Sequence, residues 1–242
     1  MAFIERAAFL GYSGPVEIKI GPGKIARVMT LIVASLLLLN VAGLVSRFFL
    51  GYDSKLISAF SFGYEQNFPT FYSALALLFC AALLAIVGAA RRKAHREYAF
   101  HWGALAAIFA FLSADEMLEI HEVLIVPVRE ALHTGGMLRF AWVIPYGVLV
   151  AVFVLAYLKF LRDLPAKTRR RFVVAGALYV LGALGMELLG SKYYDLHGGD
   201  NFVYVMHQTL EELLEMAGVI VFAHAIAEYL RDEVGLVQVN FK

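Results

Sequence analysis

The residues in this chain best placed to do chemistry are acids and histidines set in otherwise apolar runs. One run reads Ser113-Ala-Asp115-Glu116-Met-Leu-Glu119-Ile-His121-Glu122. Continued as a helix at about 100° per residue, it puts Asp115, Glu119 and Glu122 within about 60° of each other, with Glu116 at the border of that stripe. His121 falls about 120° away, toward another partner or the headgroup region. A second run, from Val203 to Gly218, carries His207, Glu211 and Glu215 at successive i, i+4 positions on one face, while Glu212 projects elsewhere. Glu187, three residues before Gly190, comes from a third run.

Carboxylates that gather at partial depth in a membrane repel, and they cannot all stay ionised without shared protons or a cation. No Lys or Arg interrupts the three acidic stripes. Carboxylate with imidazole is a ligand set for iron, zinc or manganese, whereas oxygen alone suits calcium or magnesium. The expected metal ligands are therefore Glu119, Glu122, Glu187, His207, Glu211, Glu215 and His121. Asp115 and Glu116 are the expected catalytic acids, Asp115 as proton carrier or further ligand. Di-metal sites in helical bundles often use Glu-x-x-His pairs. The one such pair here, Glu130-Ala-Leu-His133, lies outside the three acidic helices. The plainer reading of any single acid is that it meets headgroup water at a helix end. Three helices with acids at the same end, beside three without, weigh against that reading.

The elements that must position these residues are apolar helices. Of 242 residues, 61% are hydrophobic and 17% charged, and the mean hydropathy is +0.71. An ordinary soluble domain is about half apolar and about a quarter charged, so a typical soluble enzyme and a disordered chain are excluded. Net charge is +1, which argues against a nucleic-acid partner. Crossing the hydrocarbon layer takes about 20 apolar residues. Residues 28–46, 71–90 and 140–158 meet that condition without internal charge, and 98–114, 172–186 and 202–230 run into the acids. The expected fold is an all-α, polytopic membrane bundle of about six transmembrane helices. Residues 1–24 form a cytoplasmic N-terminal segment, 25–230 the transmembrane domain, and 231–242 a cytoplasmic tail. The first span is expected to act as its own uncleaved targeting signal. Cys80, the only cysteine, reads as a small buried hydrophobe.

Basic residues mark the cytoplasmic side. Alternating the loops puts 16 of the 21 Lys and Arg on the side of both termini, and 13 of the 20 acids on the other. Both termini are thus expected in the cytoplasm, with the acidic ends facing outward. The inward continuations of the acidic helices are apolar, so the site reads as blind-ended. His101, beside Trp102 at the inner interface, reads as an aromatic-belt residue, Trp142, Tyr193, Tyr194 and Tyr204 as further belt residues, and His224 with Glu228 as a local i, i+4 pair.

Three functional classes follow. The first is a metal-dependent membrane-embedded enzyme, hydrolase or oxidoreductase, acting on a lipid or small amphiphile. The second is a cation or proton transporter or channel. The third is a subunit of a larger membrane complex. Membrane lipids are expected partners in every case, and a homo-oligomer is compatible with all three. No Gly-x-Ser-x-Gly elbow, Cys-x-x-Cys-His haem motif, P-loop or Gly-x-Gly-x-x-Gly supports another chemistry.

Four stretches carry a resemblance: Ser113 to Glu122, Phe140-Ala-Trp-Val-Ile-Pro145, Leu158-Lys-Phe-Leu with Leu164-Pro-Ala-Lys-Thr168, and Glu211-Glu-Leu-Leu-Glu215-Met-Ala-Gly218. Over residues 104–230 the chain resembles an uncharacterised family of bacterial polytopic inner-membrane proteins. The resemblance implies a bacterial inner (cytoplasmic) membrane and supplies no activity. Compared with the zinc-dependent seven-helix ceramidase-like hydrolases, the chain lacks their His-x-x-x-His pair.

Overall fold

The computed structural model describes residues 16–18, 21–234 and 237–239. Most of the expected N-terminal segment and part of the expected tail lie outside these residues. Strand β1 (Val16–Ile18) pairs antiparallel with β2 (Val237–Val239), so the described parts of the two terminal segments meet. The described residues between them are helix and loop.

The long helices are α1 (Pro22–Phe49), α3 (Phe68–Lys93), α4 (Ala99–Leu118), α6 (Val143–Asp163), the pair α7 (Ala166–Val180) and α8 (Glu187–His197), and α9 (Phe202–Tyr229). Short helices α2 (Lys55–Ser58) and α5 (Ile125–Leu132) lie in the connections. A π-helical stretch, Leu181–Met186, joins α7 to α8 without a break. Five helical segments, including Ala166–His197 as one unit, are long and apolar enough to cross a membrane. Helix α4 does not reach that level of hydropathy, because its last turn carries Asp115 and Glu116.

Helix α9 is the centre of the packing. Its Phe222 stacks on Phe109 of α4 at 4.5 Å and meets Phe172 of α7 at 4.6 Å. Outward-facing residues are apolar as well: Leu38 on α1, Leu155 on α6 and Val173 on α7 are exposed. A helix that is apolar on both its packed and its outer face suits a lipid surrounding. Trp102 is almost fully buried against Phe160, Phe172 and Tyr229, within the core.

Glycine sets the helix spacing beneath the acidic end. A Cβ at Gly182 would stand 2.8 Å from the Glu211 carbonyl oxygen, and one at Gly218 would stand 2.8 Å from the Ala175 carbonyl. Only glycine lets the α7–π segment lie this close to α9. The π stretch adds a residue to the turn just before Glu187, and such insertions recur at functional sites because they re-aim the side chains that follow.

Connections at the two ends hold different partners. At one end Arg47 meets Asp53 and Asp200, Arg139 meets Asp195, and Gln66 reaches Glu119. At the other, Tyr98 bonds Asp163 and Arg91 bonds Tyr229.

Candidate metal centre

The acidic end is assembled from the α2–α3 connection, the end of α4, the start of α6, the π–α8 junction and the first half of α9. Asn40, buried on α1, fixes the first of these. Its Nδ2 donates to Thr209 Oγ1 on α9 at 3.1 Å, and its Oδ1 accepts from the Phe62 backbone N–H at 3.0 Å. Asn67 then caps α3 by accepting from Thr70 N–H, while its amide donates to the carbonyls of Ser61 and Tyr64 at 2.7 Å each. The loop carrying Glu65 is thereby shaped from both sides.

Helix α4 stops sooner than its acidic periodicity predicts. It ends at Leu118, and Glu119 takes a left-handed conformation with φ +53°. The single-face arrangement of Asp115, Glu119 and Glu122 is therefore corrected: the chain has left the helix before Glu122. The turn is held by Asp115, whose Oδ1 accepts from the His121 backbone N–H at 2.8 Å and from the Tyr146 hydroxyl at 3.0 Å. Reversal of the chain brings the His121 ring back over Asp115, with Nδ1 at 3.3 Å from Oδ2. Gln66 is also left-handed, at φ +55°, and its Nε2 donates to Glu119 Oε1 at 2.7 Å. Each such conformation costs a non-glycine residue on the order of 1 kcal/mol, and strain of this kind collects at functional sites. The two strained residues are bonded to each other beside the same group of side chains.

That group is Glu65, His121 and Glu122. Each offers a ligand atom, and the three atoms lie within 4.8 Å of one another. Donors around a tetrahedral ion at about 2.1 Å stand roughly 3.4 Å apart, so small side-chain rotations suffice to close the set. Asp115 holds His121 through one ring nitrogen, the arrangement that carboxylates make behind metal-ligating histidines. Trp142 packs on the His121 ring at 4.6 Å between centroids.

The local charges agree with this geometry. Glu65 faces solvent on one side, yet the protein behind it, followed by the charges of Glu122 and Glu119, raises it to about 8. Burial works against a charged His121, but the hydrogen bond and charge of Asp115, with Glu65 and Glu122, outweigh it and hold the imidazole above its ordinary value. Among the described residues, no Lys or Arg pairs with Glu65, Glu116, Glu119, Glu122, Glu187, Glu211, Glu212 or Glu215.

The other expected ligands fall into separate groups. Glu187 accepts from Trp142 Nε1 at 3.1 Å and stands beside the Glu211 carboxyl, two acids with no base between them. Trp142 is therefore turned into the site rather than into a belt. Glu215 lies beside Tyr179, and Glu116 lies near Glu212 and Glu215. His207 packs against Tyr193 and Gly190, its Nδ1 buried and without a hydrogen-bond partner among the described residues. Glu119 holds Gln66 rather than joining the trio.

Glu65 is one of the 13 acids on the outward side of the charge partition, but nothing in its sequence neighbourhood ties it to the site. It is a single acid in a loop, and only its contacts with residues more than 50 positions away give it a role. A signal that could have found it is the chain's placement of that loop at the same end as the acidic stripes.

Among curated proteins and solved structures, none matches the chain. Residues 28–228 match a family described as a domain of unknown function, DUF8692. The match covers most of the chain, including every acid discussed above. The chain belongs to the DUF8692 family.

Proposed function

We propose that this is an integral membrane protein of the bacterial inner membrane with a divalent metal ion (iron, zinc or manganese) at Glu65, His121 and Glu122. It acts as a metal-dependent enzyme on a lipid or small amphiphile at the outer face. The observation that carries the reading is the trio itself, with Asp115 behind its histidine. One nitrogen and two carboxylates fit these metals. Three protein ligands leave a coordination position open, as catalytic rather than structural sites do. A metal held there would supply a Lewis acid and an acidified water. The chain's own residues orient the histidine, hold protons on neighbouring carboxyls and place the site where a headgroup can reach it. Asp115 and Tyr146 fix His121, and Glu119 and Gln66 fix the loop that presents Glu65.

A second reading, cation or proton transfer, is favoured by one observation. Carboxylates continue inward from the trio through Glu212 and Glu116 to Glu215.

Protein purified in mild detergent is to be loaded with zinc or manganese, reconstituted with phospholipid and ester or phosphoester amphiphiles, and followed by mass spectrometry. The enzyme reading expects metal-dependent product that is lost in Glu65→Gln. Stoichiometric metal without product, but with ion flux in liposomes, would replace it with the transport reading.

A further inference from the structure

At the basic end of the bundle, α6 and α7 meet at a two-residue corner, Leu164-Pro165. On α6, Val152, Leu155, Lys159 and Arg162 are all exposed, and at helical spacing they lie within about 100° of each other. The opposite face of α6 turns Tyr157 and Phe160 inward onto His101 and Trp102 of α4. On α7, Arg169, Arg170, Val173 and Ala177 make an equivalent exposed stripe, while Phe172 and Ala175 face the core. In both helices the apolar side chains run toward the middle of the bundle and the cations stand at the corner. Arg169 brings the two cation pairs together, because its Nη1 donates across the corner to the Arg162 backbone carbonyl at 2.9 Å. Beyond the corner the two helices do not pack closely on each other, so the stripes stay uncovered by the described residues.

We propose that this corner binds the headgroup of an anionic phospholipid, whose acyl chains lie along the exposed stripes of α6 and α7. The charges complement such a partner. Asp163 is the one acid between Lys159 and Arg171, and it is bonded to the Tyr98 hydroxyl. Lys167 and Arg171 are taken up by Glu228. Lys159, Arg162, Arg169 and Arg170 have no carboxylate within ion-pair distance among the described residues. A general excess of bases on the cytoplasmic side accounts for their presence at this end. It does not account for their gathering at one corner above two bare apolar stripes. A guanidinium matches phosphate oxygens with paired donors, and the ammonium of Lys159 adds a point charge. Basic pockets between membrane helices recognise anionic headgroups in this way. The inference rests on the membrane setting of these helices and not on the metal, since no residue of the trio takes part.

Titration of the full chain in mild detergent with phosphatidylglycerol or phosphatidylcholine tests it, with bound lipid counted by native mass spectrometry. The expected result is one phosphatidylglycerol held about tenfold or more tighter than phosphatidylcholine. Each cation beside an anionic headgroup is worth about a fivefold factor in affinity. Arg162→Gln/Arg169→Gln should therefore weaken phosphatidylglycerol binding roughly 25-fold, and Lys159→Gln/Arg170→Gln by a similar factor. Arg92→Gln/Lys93→Gln removes the same charge from the end of α3 and should change affinity by less than about twofold. All six side chains are exposed, so these variants leave the packed core intact. Equal affinity for the two lipids, or equal losses in the corner and α3 variants, would overturn the proposal. So would displacement of the lipid by equimolar inorganic phosphate, which would mark a site for a soluble anion.

Discussion

Glu228 and Glu65 lie at opposite ends of the same bundle, and their neighbours differ in kind. Around Glu228 stand Lys167 at 2.8 Å, Arg171, and Arg231 at 3.6 Å, each a base supplied by the chain itself. Around Glu65 stand His121, Glu122, Glu119 and Glu212, with no Lys or Arg among the described partners. A carboxylate removed from water needs a positive partner, a proton or a hydrogen-bond shell. At one end that need is met by Lys and Arg, so nothing further has to be bound. At the other the chain supplies no Lys or Arg among the described residues: Glu65 and Glu122 keep contact with solvent, and Glu187 and Glu211 face each other with only Trp142 donating to Glu187. The difference separates a charge cluster that the chain neutralises itself from the acidic group at which we propose a metal, although both are rich in acid.

The contrast is broken most severely at the trio. His121→Ala or Glu65→Gln is expected to weaken zinc or manganese binding by roughly 100-fold or more, because three ligands become two. Equilibrium dialysis reads this directly. Glu228→Gln is the matched control: it should leave metal binding unchanged while costing about 1–2 kcal/mol in stability, since three bases lose their common partner. A denaturation midpoint in detergent reports the second part.

Asp115→Asn should come next, with affinity down about 10–100-fold, since it leaves His121 in the site but loses the carboxylate that orients it. Retention of full affinity would show that Asp115 merely caps the helix end. Metal affinity should also climb with pH. Glu65, raised to about 8, binds a proton that the metal must displace, and so does His121. Below about pH 8 the apparent affinity is expected to fall about tenfold per unit for the proton on Glu65, and more steeply where His121 is charged as well. A flat profile between about pH 6 and about pH 8 would mean that these groups are not the ligands. The smallest effect is expected for Gln66→Ala. The loss of one exposed hydrogen bond to Glu119 should weaken binding only a few-fold, through a looser Glu65 loop.

Much of this organisation was legible in the chain. Apolar runs of membrane-crossing length mark most of the long helices, and the segregation of Arg and Lys from the acids anticipates two unlike ends. The stripes of α9 are also real, because that helix runs unbroken from Phe202 to Tyr229. What could not be read is where a helix stops. Nothing in the periodicity from Asp115 to Glu122 reveals the left-handed turn at Glu119, yet that turn carries His121 back over Asp115. Trp142 and Glu65 were hidden for a related reason. Both act through contacts between segments distant in sequence, and a tryptophan near a membrane interface is ordinarily an anchor. His224 and Glu228 share a helical face as expected, but Glu228 finds stronger partners on α7, and His224 Nδ1 is left buried without a hydrogen-bond partner among the described residues.

The most direct measurement is anomalous diffraction at a zinc or manganese edge, on crystals of the full chain grown with that metal. The account predicts a single strong peak between the side chains of Glu65, His121 and Glu122, with Asp115 on the far side of the imidazole. A peak lodged instead between Glu187, His207 and Glu211, or no peak at the acidic end at all, would contradict it.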